Sequence, residues 1–270
     1  MDKTGTLLNL NFKLIDAACK VKSFLNFFLH HKYFSVMKRN SSLFNEQNEH
    51  KTCYVCALGP SLRDVDLNKI KGDTIVVNRF TKIGIEFPDF VPTYYAMIDA
   101  LFAFPGYVEE VEEAIKMYGN KGTKFFFGSK LLHAELFKRV KNDNFYFVTW
   151  PSGFLKPNKT YTLDQPFPAL QNVACFAIYY AMLMGYKKIV LLGCDFNSFA
   201  SLTRNHCYQE SSSERLYKRS LELFDYSIVS KVHENLNEYA INHGVKILNS
   251  TKGSLIDAYE FNILNELYSR

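Results

Sequence analysis

The sequence predicts an α/β protein: a doubly wound, mostly parallel sheet of Rossmann-like topology, preceded by an N-terminal amphipathic helix. Three observations carry this. Short apolar runs ending in polar or turn residues alternate with stretches of helical periodicity. One run, KKIVLLGCDF, is almost continuously apolar, as strands buried on both faces of a parallel sheet are. The 270 residues, 47% of them apolar, suffice for one sizeable domain with a small appendage.

Taken in order, NFKLIDAACKVKSFLNFFLHHKYF places Phe12, Ile15, Cys19, Lys22 and the Phe24/Leu25/Phe28 group at near-helical spacing, with basic residues between. Such a helix suits peripheral contact with an anionic bilayer, or packing on the domain or on a second subunit of a homo-oligomer. RNSSLFNEQNEHK reads as a polar linker, dividing residues 1–50 from a domain over 51–270. TCYVCAL is a strand closed by the turn Gly59-Pro60-Ser61; DTIVVNRF, TYYAMID and TKFFFGS are the next three strands. EEVEEAIKMYG and LLHAELFKRV fit helices flanking the fourth strand. The segment from Trp150 to Pro168 holds four prolines and no clean period, so it reads as a long loop. NVACFAIYYAMLMG is a buried helix stopped by Gly185. After KKIVLLGCDF come a polar loop to about Ser213, a helix over 214–243, the strand VKILNS and a final short helix.

A formal charge of +5 favours anionic ligands or an anionic membrane surface; spread along the chain, it does not argue for nucleic acid. Cysteines at 19, 53, 56, 175, 194 and 207 show no framework spacing and read as buried thiols of a cytoplasmic protein. No apolar run reaches the ~18 residues of a membrane span, and the N-terminal run is interrupted by Lys13, Asp16, Lys20 and Lys22, unlike a signal peptide. Cys53 and Cys56, three apart on a strand, point to opposite faces and cannot chelate one ion. Asp64 and Asp66 follow a turn in SLRDVDLNKI, where acids cap bends, so no metal site is assigned to them.

The candidate site is the carboxyl edge of the sheet. A first βα turn offers free main-chain N–H groups to a phosphate, and Gly59, Pro60 and Ser61 occupy it. Other strands end in Asn78, Asp99, Ser129 and Asp195, and Gln171 and Asn172 precede the buried helix. Polar residues gathered at one edge of a sheet predict a ligand site there.

GPSLRDVDLNKI, the strand ending in Asn78, and GYKKIVLLGCDF together resemble the bacterial sialyltransferases of glycosyltransferase family 42. They also resemble the wider MptE-like (6-hydroxymethylpterin pyrophosphokinase-like) family, over roughly residues 53–258. The resemblance implies a Rossmann-like glycosyltransferase of the GT-A-variant type. Such an enzyme takes an acidic sugar from a CMP-activated donor, inverting the anomeric centre without a metal or other cofactor. Gly59, Ser61, Asn78 and Asp99 would then surround the nucleotide, and the acceptor would be a bacterial surface glycan or glycolipid. Several positions depart from the pattern. Leu58 stands where the family has an Asn, and Asp99 also replaces an Asn. Gln171-Asn172-Val173-Ala174 replaces Thr-Ser-Gly, and Asn197 and Phe199 replace tyrosines. The family's catalytic histidine falls near Ser227.

Sugar transfer with inversion needs a base at the acceptor hydroxyl and hydrogen-bonding or positive groups on the departing phosphate. His206 is the candidate base, oriented by Asp195 or Glu210, with Arg204 and Tyr208 on the phosphate. The loop from Trp150 to Pro168, with Lys156, Lys159 and Tyr161, reads either as a lid over the sugar nucleotide or as a static surface loop. His30, His31, His133, His233 and His243 lie on predicted helices or their ends and read as structural. Two other readings stand beside this one: a pterin pyrophosphokinase using ATP and magnesium, without a Walker motif to support it, and a non-catalytic nucleotide-sugar-binding protein.

Overall fold

A computed structural model describes residues 3–30, 32–149, 153–200, 206–209 and 218–268. Eight strands form one sheet: β1 Thr52–Cys56, β2 Asp73–Val77, β3 Tyr94–Met97, β4 Lys124–Gly128, β5 Phe145–Val148, β6 Lys188–Leu192, β7 Lys246–Asn249 and β8 Glu260–Phe261. Their order is β5-β4-β3-β2-β1-β6-β7-β8, and every neighbouring pair is parallel. The chain builds outward from β1 to β5, then returns across the sheet to lay β6 on the other side of β1. The fold is thus the Rossmann-like α/β class, with its topological switch between β1 and β6.

The helices are α1 Lys3–His30, α2 Lys32–Met37, α3 Thr81–Gly84, α4 Val108–Tyr118, α5 Glu135–Arg139, α6 Val173–Leu183 and α7 Arg219–Asn242. They cover both faces of the sheet, which is why the central strands run almost continuously apolar once past their first one or two residues. On β4 the three phenylalanines divide between the faces. Phe126 meets Phe176 and Tyr180 of α6, with ring centroids 5.9 and 5.2 Å away. Phe127 turns the other way, to Phe137 of α5 at 4.9 Å. Asn172 caps α6 by accepting from the Cys175 N–H at 2.7 Å, and Gly185, at φ +99°, ends it in the left-handed conformation glycine tolerates.

Several elements differ from the sequence reading. β5 has no counterpart in it: FYFV is a four-residue run buried throughout, without a period to distinguish strand from helix. LLHAELFKRV is not one helix but a 3-10 turn, Ser129–His133, then α5, with Ala134 extended between them. One continuous helix would set Leu131 and Leu136 about 140° apart; the break lets both be buried. The final helix is replaced by β8 and a 3-10 turn over Asn265–Leu267.

The polar linker is also corrected. Residues 38–50 form two 3-10 turns docked on the domain. The Asn40 amide donates to the Phe147 carbonyl and the Asn48 amide to that of Met184, each at 2.9 Å. Polar side chains here satisfy strand and helix ends rather than water, which composition alone does not reveal.

Candidate functional site

The turn after β1 is folded as expected but already holds an anion of the protein's own. Asp195, just beyond β6, places its carboxylate into it: the Ser61 N–H donates to Oδ1 at 3.1 Å and the Ser61 hydroxyl to Oδ2 at 2.7 Å. The Gly59 N–H is spent on the Gly193 carbonyl at 2.8 Å. A methyl group on Gly59 would lie 2.0 Å from Asp195 Oδ2, so glycine is needed for close approach; its φ of −65° is ordinary. Burial raises the pKa of Asp195; the bonds from Ser61 pull it back down and nearby Asp64 adds to the rise. This corrects the expectation that Gly59, Pro60 and Ser61 cradle a phosphate. They form a latch that ties β1 to β6 at the switch point.

The open site lies further along the same edge. A cleft of about 610 Å³ is walled by the tips of β2 to β5, the entry to α6 and one side of α1. It brings together Asn78, Asp99, Ser129, Gln171 and Asn172, all expected from the sequence. It adds Thr149 from the end of β5, Phe167, Lys130, and Cys19 and Lys22 from α1. The volume is that of a nucleotide-sized ligand site.

Each tip is fixed locally. Asn78 adopts φ +47°, a region few side chains favour. Its N–H donates to the Ala96 carbonyl at 2.8 Å, and its own carbonyl accepts from the Tyr95 hydroxyl at 2.6 Å. Its side-chain Oδ1 is buried without a hydrogen bond, an unsatisfied acceptor in a cleft-lining residue. Gln171 has φ +62° at the centre of a three-residue turn closed by the Asn172 N–H on the Leu170 carbonyl at 2.7 Å. Strained backbone held in place by its surroundings is frequent where a fold presents groups to a ligand. Asp99 accepts from the Leu101 N–H at 2.9 Å, and the Ser129 hydroxyl faces that of Thr149 at 3.4 Å. Gly128 lets β4 run close to β3: a Cβ there would sit 2.5 Å from the Ile98 carbonyl oxygen. The start of α6 adds main-chain N–H groups and the positive end of a helix dipole.

His206 and Tyr208 are not among the residues lining this cleft. They belong to a second cluster, pinned outside the β1 turn by the Cys207 N–H on the Leu58 carbonyl at 2.8 Å and by Arg63 donating to the Cys207 carbonyl. Their rings stack with centroids 5.0 Å apart, and Lys82 Nζ sits 4.6 Å over the Tyr208 ring. Arg79, next in sequence to the cleft residue Asn78, bonds Glu110 at 2.7 Å and also interacts with Tyr208. The Asp195 carboxylate accepts from Ser61 through both of its oxygens. Arg204, Glu210, His31 and Trp150 lie outside the described residues.

The lid expectation is corrected as well. Tyr161 is buried between α6 and α7, its ring 5.9 Å from both Tyr179 and Tyr239. Pro157 and Asn158 meet Asn242 at the end of α7, just before β7 begins. Lys156 and Lys159 are not among the residues lining the cleft, to which this loop contributes Phe167. The buried cysteines are inert: burial pushes the Cys56 thiol up to about 12 and raises that of Cys53. Among the described residues no three His, Cys, Asp or Glu side chains gather as a metal-holding group.

The sequence does not mark Arg79, Lys130 or Thr149, and it marks Lys22 only as a position on the N-terminal helix, not as a site residue. Arg79 was within reach of the strand-tip rule, one position past Asn78; Lys22 was not, because nothing local says that α1 folds back to the sheet edge.

No protein-family model and no curated sequence matches the chain. In shape it is similar to the sialyltransferase CstII from Campylobacter jejuni in complex with the substrate analogue CMP-3FNeuAc, at 16% identity and a TM-score of 0.49, over 82% of this chain and 89% of that one. It is similar to the same enzyme with cytidine-5'-monophosphate at 15% identity and a TM-score of 0.46, over 80% and 86% of the two chains. Identity at this level does not say which residues do chemistry.

Proposed function

We propose that the cleft binds a nucleotide-activated sugar and that the chain is a glycosyltransferase. One observation carries the reading: Asn78, Asp99, Ser129, Gln171 and Asn172, drawn from four separate segments, line a single cleft at the carboxyl edge of a parallel sheet. In its finer form the donor is a CMP-linked acidic sugar and the acceptor a bacterial surface glycan. This form rests on the sequence motifs that resemble family 42. With the Gly59 turn filled by Asp195, the phosphate belongs instead at the start of α6, between Lys22 and Lys130. The amide of Asn78 and the carboxylate of Asp99 face the nucleoside.

In this mechanism the acceptor hydroxyl attacks the anomeric carbon, the bond to phosphate oxygen breaks, and the nucleotide leaves with the electron pair. The hydroxyl proton passes to His206, and Lys22 and Lys130 at the start of α6 stabilise the departing phosphate without a metal. The link between cleft and cluster is the Asn78-Arg79 pair, one residue on each side of the same strand tip. The positions of His206 and Tyr208 outside the cleft wall favour a second reading, a nucleotide-sugar-binding protein without catalysis.

Thermal melting with CMP, UDP, GDP and ATP, with and without EDTA, tests the proposal. At about a hundred times its Kd, CMP should stabilise the fold by ~2.7 kcal/mol, a rise of roughly 5 °C or more, with EDTA present and not in Asn78→Ala. Stabilisation by ATP and magnesium alone points to the kinase, and no response to any nucleotide sinks the site. Turnover undiminished in His206→Ala rejects His206 as the base.

A further inference from the structure

α1 carries two opposite faces. One is docked: the Phe154 N–H donates to Asp16 at 2.6 Å, the rings of Phe12 and Phe154 lie 6.2 Å apart, and Cys19 and Lys22 line the cleft. On the other face Leu10, Leu14, Val21, Phe24 and Leu25 recur at helical spacing and are between 53% and 64% exposed. Leu10, Leu14, Val21 and Leu25 alone make an apolar stripe on the surface of the kind that packs against something else.

Charge identifies that partner. Residues 1–39 contain seven Lys/Arg and two Asp/Glu, whereas the rest of the chain contains 25 of each. The whole +5 net charge therefore sits in the N-terminal segment; the charge is not spread along the chain. Lys13 and Lys20 border the apolar stripe on one side and Lys22 on the other, Lys20 also pairing with Asp16. A second copy docked through the same stripe would set one lysine border beside the other, which repels. An anionic surface attracts both borders. No helix among the described residues is long and apolar enough to cross a membrane.

We propose that the outer face of α1 lies on an anionic lipid bilayer, with the stripe at the headgroup–acyl boundary and Lys13 and Lys20 against lipid phosphates. Because Cys19 and Lys22 are on the same helix, docking brings the cleft wall to the lipid surface. The proposal does not depend on which ligand the cleft holds.

Sedimentation of the full chain with phosphatidylcholine vesicles, with and without phosphatidylglycerol, tests it. Binding is expected to the anionic vesicles, weakening roughly tenfold or more in high salt and in the double variant Leu14→Asp, Val21→Asp. Thermal melting of the variant should be unchanged, since both side chains point away from the fold. Should it fail to fold, Lys13→Glu probes the same contact and should weaken binding several-fold. No binding to anionic vesicles, or equal binding by the variants, overturns the proposal. Self-association that the variants abolish, in a protein that ignores vesicles, overturns it in favour of a second copy.

Discussion

Asp195 and Ser61 are 134 positions apart, yet their two hydrogen bonds hold the ends of the sheet's two central strands together. Asp195→Ala strands the Ser61 N–H and hydroxyl in a buried place and should cost about 2–4 kcal/mol in urea denaturation. Asp195→Asn keeps an acceptor for the N–H and can donate to the hydroxyl; at neutral pH its stability should lie within ~1 kcal/mol of the parent. The sign follows from the pKa. It is raised in the fold, chiefly by burial, so the stability linked to its proton is fully present below the unfolded value and is lost as pH rises through the folded one. The charge itself adds nothing at neutral pH. An Asn variant as damaged as the Ala variant would refute this. Both halves of the latch were legible, as a small-residue turn and an acid at a strand tip. Their pairing was not, because local pattern does not say whether a tip residue faces solvent or its neighbour.

Among the elements, α6 and α7 meet at a buried polar contact. His233 of α7 lies 3.5 Å from the Cys175 sulfur, and its Nδ1 shares a hydrogen bond with the Tyr259 hydroxyl at 2.9 Å. Burial lowers its pKa to about 3, so it is neutral in the fold. Below the ordinary value of 6.5 the unfolded chain takes up a proton that the folded chain refuses. Stability should therefore fall as pH drops from about 6.5 toward about 3, by up to ~1.4 kcal/mol per unit. Carboxylates titrate in the same range, so the comparison is with His233→Gln, which retains an acceptor for Tyr259. The parent's advantage should shrink on acidification; parallel curves would show that the imidazole takes up its proton without opening the contact. Elements with a strong local signal, such as α6 with its Asn cap and glycine stop, were legible. β5 and the docked turns over 38–50 were not: four apolar residues carry no period, and a polar segment that satisfies strand ends looks like one that meets water.

At the scale of the whole molecule, the cleft is shared between the sheet edge and a helix that precedes it by dozens of residues. The alignment of strand tips follows from the βα alternation, so most of the polar wall was readable before the fold was known. The wall contributed by α1 required knowing where that helix packs, and the contacts of Asp16 and Phe12 with Phe154 decide it. If α1 were only an appendage, its charge would not matter to a ligand in the cleft. If it completes the cleft, Lys22 is one of the cations that meets the phosphate. Lys22→Glu should then weaken CMP binding in calorimetric titration by about threefold to tenfold, roughly 1 kcal/mol for a solvent-exposed charge, and the loss should shrink as salt is added. Its melting temperature without ligand should stay at the parent value, because the side chain is exposed and makes no ion pair with another described residue. Unaltered CMP affinity in this variant, alongside a loss in Asn78→Ala, would confine the nucleotide to the strand tips and leave α1 a packing role.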